Sequence, residues 1–125
     1  KGMPLKKLYI SGPFTDISAF KGMPLNFLRM SARSLRDISP LAGLPLKTLN
    51  LDTGGCTYDM SSLKNMDIQT FKFNPQCAEK GIEVMRTWKN LQLLDLTCPG
   101  IKNPNMTPTE FWKRYNAGEF KRLRE

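Results

Sequence analysis

The chain of 125 residues contains no histidine, the side chain most often used as general base or metal ligand near neutral pH. Cysteine is scarce. Cys56, Cys77 and Cys98 form an odd set without a CxxC pair, which fits neither a disulfide framework nor a zinc site. They read as small buried hydrophobes, and free thiols point to a reducing, cytoplasmic setting. No stretch approaches the roughly 20 consecutive apolar residues of a membrane span. The opening Lys1-Gly2-Met3-Pro4-Leu5 carries no signal-peptide core. Phosphate loops, GxGxxG and GxSxG are also missing. Expected, therefore, are no catalytic residues, no metal, no cofactor, and a chain that is not itself an enzyme.

What is present suits one domain with a modest core, at 40% hydrophobic residues. The net charge of +8 is uneven: residues 1–35 hold six Lys or Arg against one Asp. A basic N-terminal third favours an anionic partner, nucleic acid included. The plainer reading is a solvated charged face.

Self-similarity is the strongest signal. Five segments follow the pattern apolar-x-x-apolar-x-apolar: Leu5–Ile10, Leu25–Met30, Leu46–Leu51, Ile68–Phe73 and Leu91–Leu96. A second word precedes three of them, DISAFKGMP from Asp16, DISPLAGLP from Asp37 and DMSSLKNMD from Asp59. Each Asp stands 12 residues before the fourth position of the next triad, while full periods lengthen through 20, 21, 22 and 23 residues. One half is fixed and the other tolerates insertion, as a surface loop does. In each triad the last two apolar positions alternate with one polar residue, so they face one side of a short strand. In the returning word, Ile17 and Phe20, Ile38 and Leu41, and Met60 and Leu63 have the i, i+3 spacing of one helical or 3-10 turn. Asp16, Asp37 and Asp59, each two residues before a Ser, are placed to accept from free backbone N–H groups. Recurring in step, they read as turn starters; a catalytic site is asymmetric.

One such unit cannot bury its own apolar face, and stacking neighbours supplies a common core and a parallel strand ladder. At these residues the chain resembles the leucine-rich-repeat family. More narrowly, DISPLAGLPLKTLNL and KGMPL are similar to the repeats of large planctomycete-type bacterial proteins, some of which carry a protein-kinase domain. The resemblance implies an α/β repeat solenoid: a right-handed coil of parallel β-strands, with short helical, 3-10 or loop segments on the convex side and a C-terminal helical cap. The family's asparagine ladder is missing, since Pro13, Arg33, Gly54, Gln76 and Pro99 fill that slot. The expected domain covers 1–125, with repeats to about 96 and a cap over 97–125, and reads as a piece of a longer protein.

The ends depart from the pattern. Ile82, Met85 and Trp88, within Gly81–Asn90, predict a longer true helix. Thr107, Pro108 and Glu110 predict a helix start, with Ala117-Gly118 as its stop. Phe111, Trp112, Tyr115 and Phe120 give it the bulk to cover the core's open end; a recognition helix using Trp112 and Tyr115 is the alternative. The first triad has no such cover, which implies further repeats upstream or self-association through that end.

Function falls to the outward side chains of the strands. By register the central row is Tyr9, Arg29, Asn50, Lys72 and Asp95. One flanking row is Lys7, Phe27, Thr48, Thr70 and Leu93; the other is Ser11, Ser31, Asp52, Asn74 and Thr97. Aromatics beside cations have the composition of interface hot spots, so the binding candidates are Lys7, Tyr9, Phe27, Arg29, Asn50, Lys72 and Asp95. The expected partner is a protein or peptide. The alternatives are an anion or nucleic acid held by Lys6, Lys7, Arg29 and Arg33, and a structural spacer.

Overall fold

The computed structural model describes residues 6–13, 15–53, 57–97 and 101–120. Leu5, Cys56 and Cys98 lie outside these; of the first triad, Leu8 and Ile10 are described, half-buried on the strand at the edge of the sheet. Among the described residues eight strands form: β1 (Lys7–Gly12), β2 (Phe27–Ala32), β3 (Thr48–Asp52), β4 (Tyr58–Asp59), β5 (Thr70–Phe73), β6 (Ala78–Lys80), β7 (Leu93–Leu96) and β8 (Asn105–Met106). One α-helix, α1 (Pro108–Asn116), follows them.

The solenoid expectation is corrected here. The strands lie in one six-stranded mixed sheet, ordered β1-β2-β3-β5-β7-β8, beside a separate two-stranded sheet of β4 and β6; they do not form a coil of repeats. Two features account for the difference. β8 pairs antiparallel to β7, which makes the sheet mixed. The returning words form short three-residue 3-10 turns at Ser18–Phe20, Ser39–Leu41 and Ser61–Leu63, and β4 and β6 pair with each other outside the main sheet.

Within the main sheet β1, β2, β3, β5 and β7 are parallel neighbours. Their inward positions pair in register as Leu8, Leu28, Leu49, Phe71 and Leu94. From β2 onward these side chains are completely buried. The first apolar residue of each later triad, Leu25, Leu46, Ile68 and Leu91, is buried just ahead of its strand. At each strand entry one carbonyl accepts two successive amides from the next strand. Lys6 accepts from Asn26 and Phe27 at 2.8 and 3.1 Å, and Asn26 from Lys47 and Thr48 at 2.8 and 3.2 Å. Lys47 does the same for Gln69 and Thr70, and Gln69 for Gln92 and Leu93. These bonds fix where each strand starts relative to its neighbour.

The 3-10 turns begin as the Asp–x–Ser words suggest. The Asp16, Asp37 and Asp59 carboxylates accept from the amides of Ser18, Ser39 and Ser61 at 2.8, 3.0 and 2.8 Å. Asn74 repeats the device for Gln76 at 2.9 Å. These bonds hold the aspartates below the usual carboxylate range. The Ser18 amide is the main cause at Asp16, and the Ser39 and Ser61 hydroxyls are the main causes at Asp37 and Asp59.

The expected long helix over 81–90 is also corrected: Ile82–Thr87 is a six-residue 3-10 stretch. Its apolar positions 82, 85 and 88 recur every third residue, which matches three residues per turn better than 3.6. All three are buried. The Trp88 indole N–H donates to the Leu63 carbonyl at 2.7 Å, and its ring meets Phe71 edge-on at 5.2 Å.

Phe71 stacks on Phe73 at 4.2 Å, and Phe73 meets Phe111 of α1 at 6.1 Å. Thr107 caps α1 by accepting from the Glu110 amide at 3.3 Å. Arg114 fastens the last segment, donating to the Lys102 and Asn103 carbonyls at 2.9 and 3.1 Å and pairing with Glu119. Cys77 is buried.

Two outcomes follow from the turns. Gly22, Gly43 and Gly81 share φ of +77 to +79°, but only at Gly81 would a Cβ meet backbone, 2.5 Å from the Ser61 nitrogen; at the other two it meets nothing within 4 Å. Alanine at Gly22 or Gly43 should each cost about 1–2 kcal/mol, and Gly81→Ala distinctly more, read by urea denaturation. The depressed aspartates stabilise the fold fully above the ordinary carboxylate range, and that stabilisation fades as pH falls through their lowered values. The urea midpoint should hold steady from neutrality to about pH 5 and decline below about pH 4. The decline should be shallower in the triple Asp16→Ala, Asp37→Ala, Asp59→Ala chain.

Candidate binding face

Side chains that alternate with the buried row stand on the opposite side of the sheet. Register places Tyr9 beside Arg29, Arg29 beside Asn50, Asn50 beside Lys72, and Lys72 beside Asp95. Lys7 pairs with Phe27, Phe27 with Thr48, Thr48 with Thr70, and Thr70 with Leu93. Among the described residues, the exposed large hydrophobics are Tyr9, at 62%, and Leu93, at 41%, and both belong to this face.

The β1–β2 corner is the most organised part. The Tyr9 and Phe27 rings lie diagonally across the strand pair with centroids 5.2 Å apart. The remaining two corners are cations: Lys7 Nζ lies 6.0 Å from the Phe27 ring centre, and Arg29 Cζ lies 6.0 Å from that of Tyr9. At this distance a cation gains only a modest attraction from the ring, and its charge stays available to solvent. Among the described residues no carboxylate lies within ion-pair distance of Lys7 or Arg29. Further along, Lys72 pairs with Asp95 at 4.0 Å, with both side chains well hydrated. An exposed pair of this kind contributes about 0–1 kcal/mol.

A concavity of about 550 Å³ opens on this face. Tyr9, Arg29, Asn50 and Lys72 line it, together with Ser11, Ser31, Asp52 and Thr97. Four of the seven expected binding residues therefore come together. Lys7 and Phe27 flank it on the N-terminal side of the strands, and Asp95 borders it through Lys72. The concavity leans toward the strands' C-terminal ends, where Ser11, Ser31 and Asp52 form a second register row. The alternation of the sequence contains that row, but its small polar side chains give no sign of a floor.

The other candidate surfaces differ. Trp112 is half-buried with the Arg86 guanidinium 3.8 Å from its ring centre, and it meets Phe111 edge-on at 4.9 Å. Tyr115 stacks on Phe111 at 5.9 Å. Both aromatics pack against the core. Arg33 stands in the turn after β2, beyond the row that holds Arg29. Among the described residues no helix is long and apolar enough to cross a membrane, and no group of three or more His, Cys, Asp or Glu side chains is placed to hold a metal.

Compared with protein-family models, with curated proteins and with solved structures, the chain matches none.

A face kept for contact contributes little to folding. Tyr9→Ala should change unfolding free energy by no more than about 0.5 kcal/mol, whereas Leu28→Ala, in the strand alongside, should cost about 2–5 kcal/mol. Equal losses in urea denaturation would show Tyr9 to be part of the fold's support.

Proposed function

We propose that this chain is a non-catalytic binding module whose outward strand face takes a protein or peptide. The observation that carries this reading is the Tyr9–Phe27 ring pair with Lys7 and Arg29, set at the rim of the concavity. An aromatic more than half exposed, beside two cations with no carboxylate partner among the described residues, is costly to leave in water and well suited to a partner. The kinship in sequence of the LxxLxL segments with leucine-rich repeats belongs to the same proposal.

The surrounding groups support contact over chemistry. Asn50, Ser11, Ser31 and Thr97 offer neutral donors and acceptors, able to satisfy a peptide backbone. Asp52 and Lys72 add one charge of each sign. These suit an interface in which an aromatic anchor supplies affinity and polar neighbours set orientation.

Selection of a random peptide display library on the immobilised chain tests the reading. Enriched peptides should bind the unaltered protein and lose at least about tenfold in affinity to Tyr9→Ser or Phe27→Ser, as loss of an interface hot spot does. They should bind a chain carrying Lys64→Glu, in the return segments, unchanged. Enrichment of nothing, or of peptides indifferent to Tyr9 and Phe27, would leave the face as a spacer surface.

A further inference from the structure

The charge on the binding face is arranged by strand, and the arrangement selects a partner. β1 and β2 contribute Lys7 and Arg29 to this face, and neither has a carboxylate within ion-pair distance among the described residues. The first acid appears at Asp52, at the end of β3, and the next is Asp95 on β7, already paired with Lys72. One end of the face is thus electropositive and aromatic, while the other is close to neutral.

Resting on the peptide-binding reading above, we infer that the partner is an acidic peptide segment. Its carboxylates lie over Lys7 and Arg29, and an apolar side chain packs against Tyr9 and Phe27. Five neighbouring strands spaced about 4.8 Å apart give the central row a span of about 19 Å, which about six extended residues cover. The guanidinium of Arg29 offers the planar fork that a carboxylate accepts in two parallel bonds. Its position beside the Tyr9 ring brings the charged and apolar contacts within one or two residues of each other on the peptide.

A continuous polyanion fits less well. A nucleic-acid strand crossing the whole row would carry its phosphates past Lys7 and Arg29 and on to the near-neutral end, where Lys72 is already paired with Asp95. Its bases would also need open ring faces on which to stack. Here Tyr9 and Phe27 form one tilted pair at 5.2 Å at one end of the row, and among the described residues the strands beyond carry no ring on this face. A short peptide can confine its acids to one end.

Three fluorescein-labelled hexapeptide pools test this by polarisation with the full 125-residue chain. Each pool carries Leu or Phe at the second, fourth and sixth positions and Ser at the fifth, with the first and third filled by Asp and Glu, by Asn and Gln, or by Lys and Arg. The acidic pool should bind tightest, about three- to tenfold above the neutral pool as two exposed ion pairs allow, and the basic pool weakest. The preference should shrink in 0.5 M salt, vanish in Arg29→Glu and also fall in the milder Arg29→Gln, which guards against a fold defect. Equal binding of acidic and neutral pools, still weakened by Tyr9→Ser, would overturn the acidic selection and leave peptide binding standing. Failure of every pool, or indifference to Tyr9→Ser, would remove both. Tighter binding of single-stranded hexathymidylate than of the acidic pool would overturn the inference in favour of nucleic acid.

Discussion

The register between neighbouring strands governs where every other side chain goes. Side chains on a strand alternate between faces, so a slip of one residue would move Leu49 out to solvent and Asn50 into the core. Two independent features prevent that slip. The carbonyls of Lys6, Asn26, Lys47 and Gln69 each accept two consecutive amides where the next strand begins. The buried residues Leu28, Leu49, Phe71 and Leu94 then lie side by side beneath the sheet. A fully buried Leu or Phe is worth about 1.5–3 kcal/mol relative to exposure, so a slipped strand loses several such contributions together.

The outward strand face is the other consequence of that register. Because the inward row is fixed, Tyr9, Arg29, Asn50, Lys72 and Asp95 are carried to one line on the opposite side. Their identities are little constrained by folding, since hydrated ion pairs and half-exposed rings contribute small amounts. Over this face the Tyr9–Phe27 pair lies beside Lys7 and Arg29, which have no carboxylate within ion-pair distance among the described residues. It is the most specific surface feature of the described chain, and the charge imbalance between β1–β2 and the strands beyond gives it a direction.

Much of this layout is legible in the residues, and the reasons for success and failure are physical. The triads show which side chains point inward, because period-two alternation is short-range and survives in four or five residues. The spacing shows which residues become neighbours, since equal steps from Asp to triad leave few registers open. Asp–x–Ser marks the turn starts because its hydrogen bonds close within two residues. The shape of the whole was less accessible. The antiparallel β8 and the small sheet of β4 and β6 rest on pairings outside the repeated triads; neither leaves a periodic trace. The 3-10 stretch at Ile82–Thr87 was misread as a longer helix because i, i+3 spacing is shared by both, although the absence of i+4 partners at 86 and 89 was a usable sign. At the site, Tyr9, Arg29, Asn50 and Lys72 were accessible from alternation. The share of Ser11, Ser31, Asp52 and Thr97 in the concavity depends on several strands together, which no single strand encodes.

The strand register is tested most directly by inter-strand nuclear Overhauser contacts in solution, assigned for the backbone of β2, β3, β5 and β7. Contacts should join Leu28 to Leu49, Leu49 to Phe71 and Phe71 to Leu94, with Arg29, Asn50, Lys72 and Asp95 following in the same step. A pattern offset by one residue at any of these pairs, or contacts showing β3 and β5 antiparallel, would contradict the placement of both the core and the face.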